Sequence, residues 1–530
     1  LLIDFAEQIP QNAVSNEVSF REHSAMAAQA GAATALIKRV DRLRVALAVI
    51  ALIVVILLIY GFARFFSNSP VKYSNIEESF RYGSTGGEIN AGIPYSVWLA
   101  LPDLFPEFLP DKTPGRGYRS LGFLYEDGKD LPIGVSKRKY QGIERVFFNC
   151  AICHVGSVRD SASSAPQYVA GMPSNTVDLR GFYEFMFNAA ASEKFNAGLI
   201  LAEIKEQGTH EDLINQLILR FYAVNVMQTF LIARRDRLQF IMEKPEYGPG
   251  RIDTFNPPKA LFNFNMSTAR EDELYGVTDF PSIWNQGKRE GMHLHWDGNN
   301  TSVEERNRSA AFGTGAYPPT LDRKYMESIA KWLYDDAKPP KYRYSIDSGL
   351  AARGAQIYAQ MCAYCHGQDG SHFKYGDGRV GEVTPIEQIK TDPNRLNSYT
   401  EELAVNQSLL YAGYGNERFS HFRKTFGYAN MPLDGLWLRA PYLHNGSVPN
   451  LRELLEPSAK RSKVFYRGDD VYDPANVGFE SNVPERDGRK FFRYDTSVRG
   501  NGNQGHEGKE YGTELSPADK NALLEYLKTF

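Results

Sequence analysis

The sequence predicts a mainly α chain in which one N-terminal membrane-spanning helix precedes two successive domains, each organised around the same short motif. Three observations lead there. A pentapeptide occurs twice, as Cys150-Ala151-Ile152-Cys153-His154 and as Cys362-Ala363-Tyr364-Cys365-His366. An uncharged run rich in Val, Ile and Leu extends from Val45 to Ala63. Long apolar periodicities of the helical type cover Leu179 to Lys205 and Glu211 to Lys244, without strand-like alternation.

Two thiols two residues apart can each add to one vinyl group of a haem, and the adjacent His then lies under the iron as its proximal ligand. The two motifs use all four cysteines of the chain, so no thiol remains for a disulfide. Two Cys-x-x-Cys pairs can also make one zinc site, and one pair can be a redox dithiol. Zinc has no need of a His after each second Cys, and a dithiol enzyme has no need of the motif twice. The reading is therefore two covalently bound haem c groups, with Cys150, Cys153, Cys362 and Cys365 as attachment points and His154 and His366 on the irons.

With 42% hydrophobic residues the chain can build ordinary cores, and its formal charge of −3 argues for neither nucleic acid nor an acidic substrate. Val45 to Ala63 has the length that crosses a hydrocarbon layer of roughly 30 Å as a helix. Lys38, Arg39, Arg42 and Arg44 crowd its N-terminal side, which puts residues 1–44 in the cytoplasm and everything after the span outside. No small-x-small cleavage site follows the run. Haem attachment to such motifs takes place outside the cytoplasmic membrane in bacteria, so chemistry and topology agree on a single-pass inner-membrane protein with periplasmic haem domains.

Residues 1–44 include an Ala-rich stretch, Ser24 to Ile37, that suits a short helix. Residues 64–92 read as a flexible tether. The first haem domain is expected over 93–340, dense in Pro, Gly and aromatics before Cys150, with a helical insertion at about 179–244 and a closing helix over Leu321 to Tyr334. Lys338-Pro339-Pro340-Lys341 marks a boundary, and the second haem domain takes 341–530. Ser348 to Met361 is expected as a helix running into Cys362. Ser516-Pro517-Ala518-Asp519 starts a terminal helix with Leu523, Leu524 and Leu527 as its buried stripe. Small c-type cytochromes cross two such helices, and Gly354 would allow the close approach.

Arg439-Ala440-Pro441-Tyr442-Leu443-His444-Asn445-Gly446-Ser447-Val448 resembles a segment of the bacterial dihaem cytochrome c peroxidase superfamily. FNCAICHVGSVR, GMPSNTVDL, HWDGNNTSVEERN, FSHFRKTFGYANMPLDGLWLRAPYLHNGSVPNLRELLEP and GNGNQGHEGKEYGTELSP resemble the branch related to latex-cleaving rubber oxygenases. The membrane span and the long insertion depart from these relatives. The resemblance implies two cytochrome c-like haem domains and an oxidoreductase acting on peroxide or O2.

Candidates for the second axial ligand of haem 2 are His506, Met431 and His444. Met431 has the spacing of a His/Met cytochrome, while the resemblance favours His506 and places His444 beside the haem. For haem 1 the candidates are Met172, His293 and His295, with Trp296 near the haem edge or between the haems. The resemblance implies that this position is open or labile, with His295 and Trp296 as catalytic candidates. Expected partners are the membrane and redox proteins, such as other cytochromes or respiratory complexes. The alternative is a non-catalytic electron carrier, possibly a subunit of such a complex.

Overall fold

A single helix, Asn12–Phe65, carries the uncharged run, and in this computed structural model it joins that run to the Ala-rich stretch before it without a break. The structure describes residues 12–262 and 264–530, and the chain divides into two units, Leu1–Ser67 and Asn68–Phe530. His23–Phe65 is long and apolar enough to cross a membrane, and none of its most apolar stretch is buried. The expected short helix over Ser24 to Ile37 is thus a section of one long rod; residues 1–11 of the expected tail lie outside the described residues.

The second unit corrects the expected tether. Asn68–Pro70 is the edge of a four-stranded antiparallel sheet, and Ile76–Tyr82 and Gly87–Ala91 are helices with Phe80, Tyr82 and Glu88 buried. Ser and Gly suggested a flexible spacer, but Ser84 and Ser136 hydrogen-bond the buried Glu88 carboxylate and Arg138 lies 3.8 Å from it. Polar residues here satisfy one another inside the fold rather than face water.

The sheet runs Asn68–Pro70, Val135–Tyr140, Ile143–Phe148, Ile93–Pro94. Its central hairpin pairs Tyr140 with Ile143, and the two loop residues, Gln141 and Gly142, have φ of 52° and 78°. Positive φ at both positions is the twist-matching turn of two-residue hairpins. The second hairpin strand ends at Phe148 and delivers the chain into the first pentapeptide.

The insertion is helical, with its first expected helix broken at Ser192. Leu179–Ala191 is capped by Asp178, and Ala197–Glu206 starts anew at Asn196, whose side chain accepts from the Leu199 amide. The next helical stretch, Leu213 to Met242, is continuous but passes through one π-turn at Leu219–Ala223. Its inner face and the preceding helices pack on an aromatic core with Trp98, Tyr118, Phe123, Phe148 and Phe182. Its outer face leaves Leu213, Phe221, Tyr222 and Val226 exposed.

Arg323–Asp335 forms the expected closing helix, with Ile329 and Leu333 buried. Ser348–Met361 crosses the terminal helix Pro517–Leu527, and a Cβ on Gly354 would lie 2.0 Å from the Ala522 carbonyl oxygen. Lys338–Lys341, expected as a domain boundary, lies inside one compact unit. Asp279 and Arg467 pair at 2.6 Å, Arg159 and Asp470 at 2.6 Å, and Arg395 and Asp297 at 3.2 Å, each across it. These pairs are buried or half-buried, so the two sequence halves share an interior.

Candidate haem sites

Each pentapeptide forms a single helical turn, Ala151–His154 and Ala363–His366. The first is placed by Asn149, a wholly buried side chain whose Oδ1 accepts from the Ala151 amide at 2.9 Å. Its Nδ2 donates to the Gly83 carbonyl at 2.8 Å and to the Arg81 carbonyl at 3.2 Å. Gly134, at φ 89°, allows the sheet to pass against Ile152, whose backbone nitrogen would be 2.3 Å from any Cβ. The second turn follows directly from the helix Ser348–Met361, and the Tyr358 hydroxyl donates to the Gly367 carbonyl at 2.9 Å just after it.

The thiols of both motifs form no disulfide. Burial pushes Cys150 up to about 11 and Cys362 up to about 12. A redox or metal-binding cysteine needs the opposite, a neighbourhood that favours thiolate. Among the described residues no three His, Cys, Asp or Glu converge as a metal-binding group, so the two pairs do not form one four-cysteine zinc site.

Both motif histidines have the same arrangement. The Nδ1–H of His154 donates to the Pro281 carbonyl at 3.0 Å, and that of His366 to the Met431 carbonyl at 2.7 Å. A carbonyl can only accept, so Nδ1 carries the proton and Nε2 keeps its lone pair for a metal. Burial holds His154 down to about 3, which keeps that lone pair free at neutral pH.

Across from His366 stands His506, their ring centroids 6.2 Å apart. Metal–imidazole bonds of about 2.0–2.1 Å on either side of one ion put two ring centroids roughly 6 Å apart. The spacing fits one iron between them. His506 is held at φ 47°. Its amide donates to the Ile389 carbonyl at 2.8 Å, and Arg461 reaches the His506 carbonyl at 3.2 Å and the Gly505 carbonyl at 2.9 Å. Its Nδ1 is buried without a hydrogen-bond partner. A left-handed backbone and an orphaned buried nitrogen at one residue fit a side chain that would hold a ligand.

The other candidates lie elsewhere. The backbone carbonyl of Met431 stands behind His366, bound to Nδ1 on the side of the ring away from Nε2. His444 is buried with its ring stacked on Tyr428 at 4.1 Å and its Nε2 3.1 Å from the Tyr428 hydroxyl. Met172 is fully buried, its sulfur where a Gly156 side chain would be, packed on the strand that follows His154. That sulfur serves the core.

His293 and His295 sit on one loop. His293 Nδ1 donates to the Gly298 carbonyl at 2.7 Å, and His295 Nδ1 to Asn299 Oδ1 at 2.7 Å. His295 has φ 65°, and burial holds its pKa down to about 4. Among the described residues no ring contact pairs an imidazole with His154 as His506 pairs with His366, although His295 acts on the His154 ring electrostatically. Trp296 Nε1 donates to the Asp279 carbonyl at 2.8 Å, and the Trp296 carbonyl accepts from the Ala429 amide at 2.9 Å, which ties the loop between both halves of the chain.

A small cavity of about 30 Å³ is lined by Pro281, His293, His295 and Met431, and by Arg289 and Arg306. It therefore touches the carbonyl-bearing residues behind both motif histidines. The arginines carried no signal in the sequence, because they fall in stretches that read as polar loops and only folding brings them together.

Residues 427–466 match the family described as RoxA-like, cytochrome c-like. This segment contains His444 and also Met431, whose carbonyl holds the His366 ring. The chain is 25% identical to the protein y4iJ of Sinorhizobium fredii (strain NBRC 101917 / NGR234) over 86% of its own length and 92% of that protein. It is 32% identical to y4iM of the same organism over 38% of this chain and 49% of that protein. The match supports a cytochrome c-like segment related to RoxA, and with it haem c as a cofactor.

Proposed function

We propose that this chain is a membrane-anchored dihaem c-type oxidoreductase of the cytochrome c peroxidase superfamily, with one closed and one reactive haem site. The observation that carries the reading is the asymmetry around the two motif histidines: His366 has His506 opposite it at 6.2 Å, and His154 has no such imidazole among the described residues. Bound in these places, the groups would supply one-electron transfer at His366 and His506 and a labile position for peroxide or O2 at His154.

The chain's own residues prepare that difference. Pro281 and Met431 carbonyls fix the tautomers of the motif histidines. Arg461 and the glycines around His506 hold its loop rigid, and Asn299 orients His295 with its Nε2 unencumbered. Trp296 joins the loop of His295 to the strand Gly427–Ala429. The uncharged stretch of the Asn12–Phe65 helix would anchor the protein in a bacterial inner membrane with the remaining 68–530 in the periplasm.

A second reading, an anchored electron carrier docked to a respiratory membrane complex, is favoured by one observation. Leu213, Phe221 and Tyr222 are 71%, 70% and 65% exposed on a helix that itself is long and apolar enough to span a bilayer. Spectra of the reduced protein with CO and of the oxidised protein with cyanide separate the two: a response from one haem supports the first reading, and none supports the carrier. His506→Ala should convert one haem from low-spin to high-spin and leave the other unchanged. A retained low-spin spectrum overturns the assignment of His506.

A further inference from the structure

Two buried arginines, Arg289 and Arg306, line the cavity that touches both haem sites, and only the first has an anion of its own. Arg289 and a third arginine, Arg439, both pair with Asp434, the latter at 2.6 Å, and Asn285 donates to its other oxygen at 2.8 Å. Asp434 is wholly buried. Arg306 is only 9% exposed and has no carboxylate within 4.0 Å among the described residues. Its side chain makes one long hydrogen bond, 3.4 Å to Asn307. The acid next to it on the helix Val303–Gly313, Glu305, is taken by the His421 ring at 2.6 Å and by the Ser420 amide at 2.8 Å.

An interior with three guanidinium groups and one carboxylate is not neutral, and leaving a buried charge unpaired costs several kcal/mol. A guanidinium turned to a cavity with no internal anion is a fork built for a planar, two-oxygen ligand. Arg306 and Arg289 crowd one another electrostatically, and Arg306 shares the cavity with Pro281, whose carbonyl holds the His154 ring, and acts on that ring, so the excess charge lies beside the first motif histidine.

We propose that Arg306 is a carboxylate-binding side chain in this cavity and that its ligand is a propionate of the haem c held at Cys150, Cys153 and His154. The inference rests on the dihaem reading and adds a residue to it. By neutralising the propionate, Arg306 sets the reduction potential of that haem and fixes its rotation in the site. The same chemistry would suit a free carboxylate that enters the cavity.

The test uses full-length holoprotein in detergent: wild type, Arg306→Gln and Arg306→Lys, each first checked for two haem equivalents by pyridine haemochrome. Loss of the cation in Arg306→Gln should shift the ferric/ferrous equilibrium of the first haem about tenfold toward ferric, ~59 mV for one electron. The second haem should not move, and Arg306→Lys should retain most of the wild-type value. Titration with acetate separates the sources. A shift that is present without acetate and indifferent to it supports the propionate. A saturable acetate effect in wild type, absent from Arg306→Gln with its acetate-free potential unchanged, overturns the propionate assignment. Should Arg306→Gln fail to accumulate, Arg306→Lys carries the test through the propionate-bending band in resonance Raman, which shifts when a bidentate contact is lost; an unchanged band overturns the proposal. Two haems with an unmoved potential and no acetate effect would remove the role of Arg306 and leave the dihaem reading standing, whereas a wrong haem count would refute that reading first.

Discussion

At His444 a buried imidazole and its backbone fix a loop. Its carbonyl accepts from the Thr278 hydroxyl at 2.5 Å and from the Asp279 amide at 2.9 Å, and its ring lies on Tyr428. Burial first, then the charges of Arg395 and Arg251, hold its pKa well below the usual histidine value. The unfolded chain takes up a proton on this ring as pH falls through about 6.5, and the folded protein does not. Stability contributed by His444 is therefore complete above that pH and is lost as pH drops below it. Compared with a His444→Gln variant, the wild type should lose about 1.4 kcal/mol more per pH unit once the pH is below about 5.5, read from urea midpoints. Parallel profiles would show that the ring is protonated in the fold. His506 and His295 stand apart from this case, since both sit at positive φ, a conformation worth about 1–3 kcal/mol of strain that the surrounding loop must impose. Both His444 and His506 are histidines in glycine-bearing loops; the resemblance of their flanking sequences favours His506, and the fold sets Tyr428 against one ring and His366 against the other.

Among the elements, the crossing of Ser348–Met361 with Pro517–Leu527 was the most legible. A Ser-Pro start, a leucine stripe and one glycine in the partner helix specify the contact, and Ser516 does cap its helix by accepting from the Asp519 amide. Gly354→Val should destabilise the protein by about 3 kcal/mol or more, because its side chain would meet the Ala522 carbonyl rather than a movable group. Thermal melts of the holoprotein read this directly, and a shift within error would mean that the helices have room to separate. The short sheet was not foreseen. Its hairpin alternates only in places, as Val135, Ser136 and Arg138 are all buried, and it is stabilised by Glu88 and Asp322 from distant segments. A strand whose inward residues are paired ions leaves no hydrophobic alternation to read.

For the whole molecule, the second unit behaves as one interior rather than two beads on a string. Cys153 packs on the aromatic core of Trp98 and Phe182, Cys150 on the core of Phe80 and Ile329, and Cys362 on that of Tyr358 and Trp437. Trp284 and Met172, from before the expected boundary, belong to the last of these. Because cores and buried ion pairs are shared across residue 340, the spectra of the two proposed haems should change at one common urea midpoint. Two separated transitions would restore the two-domain picture.

The sequence by itself determined where each thiol pair and its histidine lie and where an uncharged helix of membrane-spanning length runs. Both features are local in the chain: a Cys-x-x-Cys-His turn and an apolar run keep their meaning wherever the rest folds. Tertiary structure alone decided the spacing at which His506, already favoured by the resemblance, stands across from His366, why the Met431 carbonyl ends behind that ring, and how Arg289 and Arg439 come to share Asp434 while Arg306 faces the cavity without an acid. Those relations join residues far apart in sequence, and long-range packing and charge balance, not local propensity, bring them together.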